Sequence, residues 1–78
     1  MMSAKASKNL ISAKEMAEAS RLSYAAINNY TDMGLLEVVA KQKRVRMYDR
    51  GKSLERLGVI SKLLNEGYTL RVITKLLR

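Results

Sequence analysis

The chain has 78 residues, with 15 Lys or Arg against 7 Asp or Glu, and a formal charge of +8, which makes it one small, basic domain. It has no Cys and no His, so disulfides, thiolate or imidazole metal sites and imidazole catalysis are excluded, and no apolar run approaches the roughly 20 residues that span a bilayer. The remaining carboxylates are scattered singly, and no enzyme activity, cofactor or metal is expected.

The charge makes a polyanion the default partner, with nucleic acid ahead of anionic lipid, although a small domain can be basic without reading any sequence. Its distribution is uneven. Residues 1–36 hold four cations against three anions, whereas residues 37–56 hold seven against three. With no Pro and many Leu, Ile, Ala and Lys, the composition favours helix. The N-terminus lacks a signal-peptide core, so a cytoplasmic, nucleoid-associated protein is expected.

Residues 1–9 show no apolar periodicity, which predicts a flexible arm ahead of a domain spanning residues 10–78. Ser12 and Glu15 form a capping-box pattern, and Ile11 and Met16 are placed for a hydrophobic staple. They predict a short first helix over about residues 13–19 with Met16 and Ala17 inward. Ser20-Arg21-Leu22 is the break, and Ser23 caps a second helix to about Met33. In that helix Ile27 points to the core, flanked by Tyr30 and Thr31. Ala25, Asn28, Asn29 and Asp32 point away, with Tyr24 and Ala26 at the edges. Gly34 suits the left-handed residue that ends a helix, and Leu35 and Leu36 fold back onto the core.

Glu37 to Ala40 reads as a strand, and Val45-Arg46-Met47-Tyr48 as its partner, around the cationic tip Lys41-Gln42-Lys43-Arg44. The alternation puts Val45 and Met47 on one face and Arg44, Arg46 and Tyr48 on the other. Asp49 caps a long helix over about residues 50–66, with an apolar stripe of Leu54, Leu57, Ile60 or Ser61, and Leu64, beside Leu63. Gly67 ends it. Thr69 caps a last helix striped by Leu70, Ile73, Leu76 and Leu77. This helical pair should pack across the first two helices.

The second helix has a use on DNA. Ala25 and Ala26 allow backbone to approach bases closely, and Asn28 and Asn29 can pair bidentately with adenine. A short polar helix whose Asn residues only bind water is the plainer alternative. A cationic hairpin tip can follow phosphates or enter a minor groove, and Tyr48 can bond a phosphate; cations on a short edge hairpin also discourage sheet aggregation.

Ala17-Glu18-Ala19-Ser20, Leu22-Ser23, Ile27-Asn28-Asn29-Tyr30, Gly34-Leu35-Leu36, Arg46-Met47-Tyr48-Asp49 and Glu66-Gly67-Tyr68-Thr69-Leu70 together resemble the MerR family over about residues 10–77. The resemblance implies a mainly α, winged helix-turn-helix domain of four helices with a short β-hairpin wing. It implies a transcription regulator, typically dimeric, with the second helix in the major groove of double-stranded DNA. Asn28 occupies the place of the family's DNA-contacting Arg, Tyr30 that of a Tyr associated with phosphate contact, and Arg46 and Tyr48 those of the wing Arg and Tyr. Arg21 stands where the family's turn usually has Gly, so it must be left-handed at some energetic cost, or the turn differs; a phosphate contact would offset that cost.

The expected DNA-binding set is therefore Lys14, Arg21, Ser23, Tyr24, Ala25, Asn28, Asn29, Tyr30, Lys41, Lys43, Arg44, Arg46 and Tyr48. RNA polymerase or another regulatory protein is a further expected partner, and dimerisation is expected to need a segment absent from this chain. The alternative readings are an architectural or excisionase-like DNA-bending factor, and a module that also docks a regulatory protein through its C-terminal helical pair.

Overall fold

The computed structural model describes residues 9–77, so the expected arm, apart from Asn9, lies outside the described residues. The described chain runs β1 (Leu10–Ser12), α1 (Ala13–Ser20), α2 (Tyr24–Asp32), β2 (Ala40–Gln42), β3 (Val45–Asp49), α3 (Arg50–Asn65) and α4 (Leu70–Leu77). Four helices and a three-stranded antiparallel sheet of order β1-β3-β2 make up the winged helix-turn-helix.

Local chemistry sets most boundaries. At α1 both halves of the capping box form. Ser12 Oγ accepts the Glu15 N–H at 3.1 Å, and Glu15 Oε1 accepts the Ser12 N–H at 2.9 Å. The side chains of Ser23, Asp49 and Thr69 accept N–H groups in the first turns of α2, α3 and α4. The second helix closes on Gly34 at φ 86°, with the Gly34 N–H on the Thr31 carbonyl and the Leu35 N–H on the Tyr30 carbonyl. That pair of bonds is the Schellman arrangement, and it returns Leu35 to the core beside Tyr30.

The first helix ends on a left-handed residue as well, but here it is Arg21, at φ 64° and ψ 25°. The N–H groups of Arg21 and Leu22 both reach the Ala17 carbonyl. Of the two outcomes expected at this position, the strained one is present, and it costs about 1–2 kcal/mol against glycine-like freedom.

One core serves the described elements. Met16 of α1, Ile27 of α2, Tyr48 of β3, Ile60 of α3 and Ile73 of α4 are essentially inaccessible to solvent, and Leu35, Leu36 and Leu57 join them. Each such side chain contributes about 1.5–3 kcal/mol by leaving water. The third helix rests on α1 and on β3, and α4 packs on α3.

Three expectations are corrected. A strand at residues 10–12 precedes α1 and pairs Leu10 with Asp49 and Ser12 with Met47. The wing's first strand lies at Ala40–Gln42 rather than at residues 37–40, because the hairpin turns on only two residues, Lys43 and Arg44, between the paired Gln42 and Val45. Val39 still donates its N–H to the Met47 carbonyl at 2.9 Å. Finally, Leu64 and Leu76 are exposed at the margins of their stripes, and Leu54, Leu57, Ile60, Leu63, Leu70, Ile73 and Leu77 do the packing.

Candidate nucleic-acid interface

Ile27 and Tyr30 fix α2 against the core, which decides what its other sides present. Tyr24, Asn28 and Asp32 recur at four-residue spacing along one outer edge. Ala25 and Asn29 are exposed beside them. Ser23 is also exposed; its oxygen accepts the Ala26 N–H at 3.0 Å, which leaves the hydroxyl proton free to donate.

The wing is a tight hairpin. Lys43 at φ 52° and Arg44 at φ 72° carry positive φ at both central positions, the signature of a type I′ turn, whose twist matches that of the flanking strands. Such turns prefer Asn-Gly, and here both places hold exposed cations. Lys41 is exposed on β2, and Arg46 projects from β3 toward α2, where its Nη1 lies 3.5 Å from Asp32 Oδ1.

Between the outer edge of α2 and the wing runs an open groove of about 950 Å³. Tyr24, Asn28 and Asp32 line it from α2, Lys14 from the start of α1, and Arg44, Val45 and Arg46 from the wing. Three cations face one carboxylate, so the groove favours an anion. Lys14, Tyr24, Asn28, Arg44 and Arg46, all expected from the sequence, thus meet on one surface. Arg21, Ser23, Ala25, Asn29, Lys41 and Lys43 are exposed but do not line it.

The family model for MerR HTH family regulatory proteins matches residues 11–78, which takes in both the helix-turn-helix and the wing. The chain belongs to the MerR HTH family. No curated protein and no solved structure matches it significantly. Membership in the MerR HTH family makes this a DNA-binding regulatory domain with double-stranded DNA as its partner. Among the described residues no helix is long and apolar enough to cross a membrane, and no group of three or more Asp or Glu could hold a metal ion.

Two of the tyrosines expected at the MerR interface belong to the core. Tyr48 is 0% exposed, and its hydroxyl lies 2.7 Å from Thr31 Oγ1. The Thr31 hydroxyl donates to the Ile27 carbonyl at 2.8 Å, which uses its single proton, so Tyr48 must be the donor in the pair. Tyr30 retains 8% exposure, with its ring in the same core. The period-two reading of β3 was sound, since Arg46 and Tyr48 do share a face, but that face looks toward α2. Arg46 meets Asp32 there and Tyr48 meets Thr31. Val45 is half-exposed on the other face, and Met47 is buried outside the main core cluster.

Asp32 and Val45 are groove residues absent from the expected set. Asp32 had a signal: it follows Asn28 by four residues, so any groove holding Asn28 is open to it. Val45 had none, because a valine in a strand beside a core reads as packing.

Proposed function

We propose that this domain reads double-stranded DNA by placing α2 in the major groove and the wing on the flanking backbone, and that it regulates transcription at the sites so chosen. The observation that carries the reading is the groove shared by Tyr24 and Asn28 of α2 with Arg44 and Arg46 of the wing. A helix of nine residues, Tyr24–Asp32, is about 13 Å long and, with side chains, about as wide as the major groove. Asn28 and the exposed Asn29 have the amide geometry to accept from adenine N6 and donate to N7, and Ala25 can touch a thymine methyl. Lys14, Arg44 and Arg46 then meet phosphates, which fix register without reading sequence. Asn28 in the place of the family's Arg implies a base preference of its own.

Selection of bound duplexes from a random pool tests this directly. The expected result is an enriched motif whose adenine preference collapses in Asn28→Ala, while Arg46→Ala weakens enriched and unenriched duplexes alike. Enrichment of the same motif by Asn28→Ala would remove α2 from the role of reading helix. Binding without any enrichment would favour the architectural, DNA-bending alternative.

A further inference from the structure

Three described residues other than glycine have a left-handed backbone, namely Arg21, Lys43 and Arg44. All three are long cations. Left-handed positions ordinarily hold Gly, or else Asn, Asp or His, and nothing in the backbone geometry selects Lys or Arg. This chain supplies its own comparison, since α2 and α3 close on Gly34 and Gly67 in the same left-handed region where α1 closes on Arg21.

Nor do contacts within the protein account for them. The three side chains are exposed, and among the described residues none makes a hydrogen bond or an ion pair. A cation at the end of α1 gains something from the helix dipole, but that reason does not extend to a hairpin tip. Arg44 lines the groove with Tyr24 and Asn28, and Lys43 adjoins it on the tip; Arg21, outside the groove, stands in the turn three residues before Tyr24, the first residue of α2.

We infer that Arg21, Lys43 and Arg44 form a clamp for duplex DNA phosphates carried on strained backbone, so that the chain gives up fold stability at these positions for backbone affinity. The inference rests on the DNA reading proposed above and adds to it a contact at the helix-turn-helix turn.

The test combines unfolding with binding. Arg21→Gly, the pair Lys43→Asn with Arg44→Gly, and the triple variant are compared with the wild type by thermal melts. Fluorescence anisotropy on a labelled 25-base-pair duplex, roughly two and a half helical turns, is run across a salt series. Each relieved site should raise Tm by about 5 °C. The slope of log K against log salt should become shallower by about 0.9 for Arg21→Gly and about 1.8 for the hairpin pair. A control, Lys62→Gln with Lys75→Gln, removes two exposed cations that do not line the groove and should leave the slope unchanged.

Unchanged slopes in the triple variant would overturn the clamp, and unchanged or lower Tm values would overturn the strain. An equal loss of slope in the control would reduce the effect to net charge and overturn the inference too. If the wild type itself shows no salt-dependent duplex binding, it is the DNA reading above that fails, and the clamp falls with it.

Discussion

Replacing Tyr48 by Phe removes one oxygen from the centre of the domain and leaves the ring where it is. The ring is inaccessible to solvent, so no cavity forms, and the loss is confined to the 2.7 Å hydrogen bond to Thr31. Thr31 keeps its own donation to the Ile27 carbonyl at 2.8 Å, and no polar group is stranded. The expected destabilisation is that of one ordinary hydrogen bond, about 1 kcal/mol, or roughly 4–8 °C in Tm for a domain of this size. Thr31→Val removes the other partner and is not equivalent. It leaves the Tyr48 hydroxyl buried without an acceptor, at a cost of about 1–3 kcal/mol. Thr31→Val should therefore destabilise more than Tyr48→Phe. The double variant should be less destabilised than the sum, because the stranded hydroxyl is gone. Urea unfolding followed by circular dichroism measures all three. Salt-dependent DNA binding, measured in parallel, should keep the wild-type slope in Tyr48→Phe. If Tyr48→Phe instead melts like the wild type and yet binds duplex more weakly across the whole salt series, then Tyr48 contacts phosphate and its assignment to the core is wrong.

Asp32→Asn removes the one carboxylate lining the groove and releases Arg46. Because the 3.5 Å pair is 39% and 67% exposed, stability should change by less than about 0.5 kcal/mol, while duplex affinity at low salt rises several-fold, as read by anisotropy. Ser12→Ala deletes the acceptor that caps α1 at 3.1 Å and should lower stability by about 1 kcal/mol, seen as a reduced urea midpoint at constant m-value. Glu15→Gln retains a side chain able to complete the box and should lose much less.

The boundaries that were legible in the sequence are those set within a few residues. Ser12 with Glu15, Ser23, Asp49 and Thr69 each meet an N–H group three residues away, and Gly34 and Gly67 close their helices over a similar span. What escaped depends on partners far along the chain. The first strand is three residues long and exists because Leu10, Ile11 and Ser12 meet Asp49, Tyr48 and Met47; no local pattern announces it. The wing strand was misplaced because Val38 and Val39 have the stronger β preference. The ladder follows the position of the turn instead, and so recruits Lys41 and Gln42. The face of Tyr48 was misjudged for a related reason. Alternation sorts side chains into two sets but does not say which set is inward when both contain large apolar groups. Helix phase accounts for Asn28 in the groove and alternation for Arg46 sharing a face with Tyr48; what lay beyond the sequence was how α2 sits against β3, which brings Lys14 and Arg44 to the same groove.

That relation is held by two contacts of different kinds, on successive residues of α2. Thr31, itself partly exposed, is tied to the buried Tyr48 at the edge of the core, and Asp32 is paired with Arg46 in the groove. Lower dielectric and less competing water make the partly buried bond the more persistent one, whereas the exposed pair is screened and readily exchanged. In the DNA-bound state proposed above, phosphate takes Arg46 from Asp32 while Tyr48 stays on Thr31. The spacing between reading helix and wing is then set before DNA arrives, and binding orders little beyond side chains at the surface. Asp32 keeps Arg46 aimed into the groove until a stronger anion displaces it. Loosening the Tyr48–Thr31 bond should therefore lower affinity without changing the number of phosphates contacted, whereas removing Asp32 should raise affinity without changing the fold.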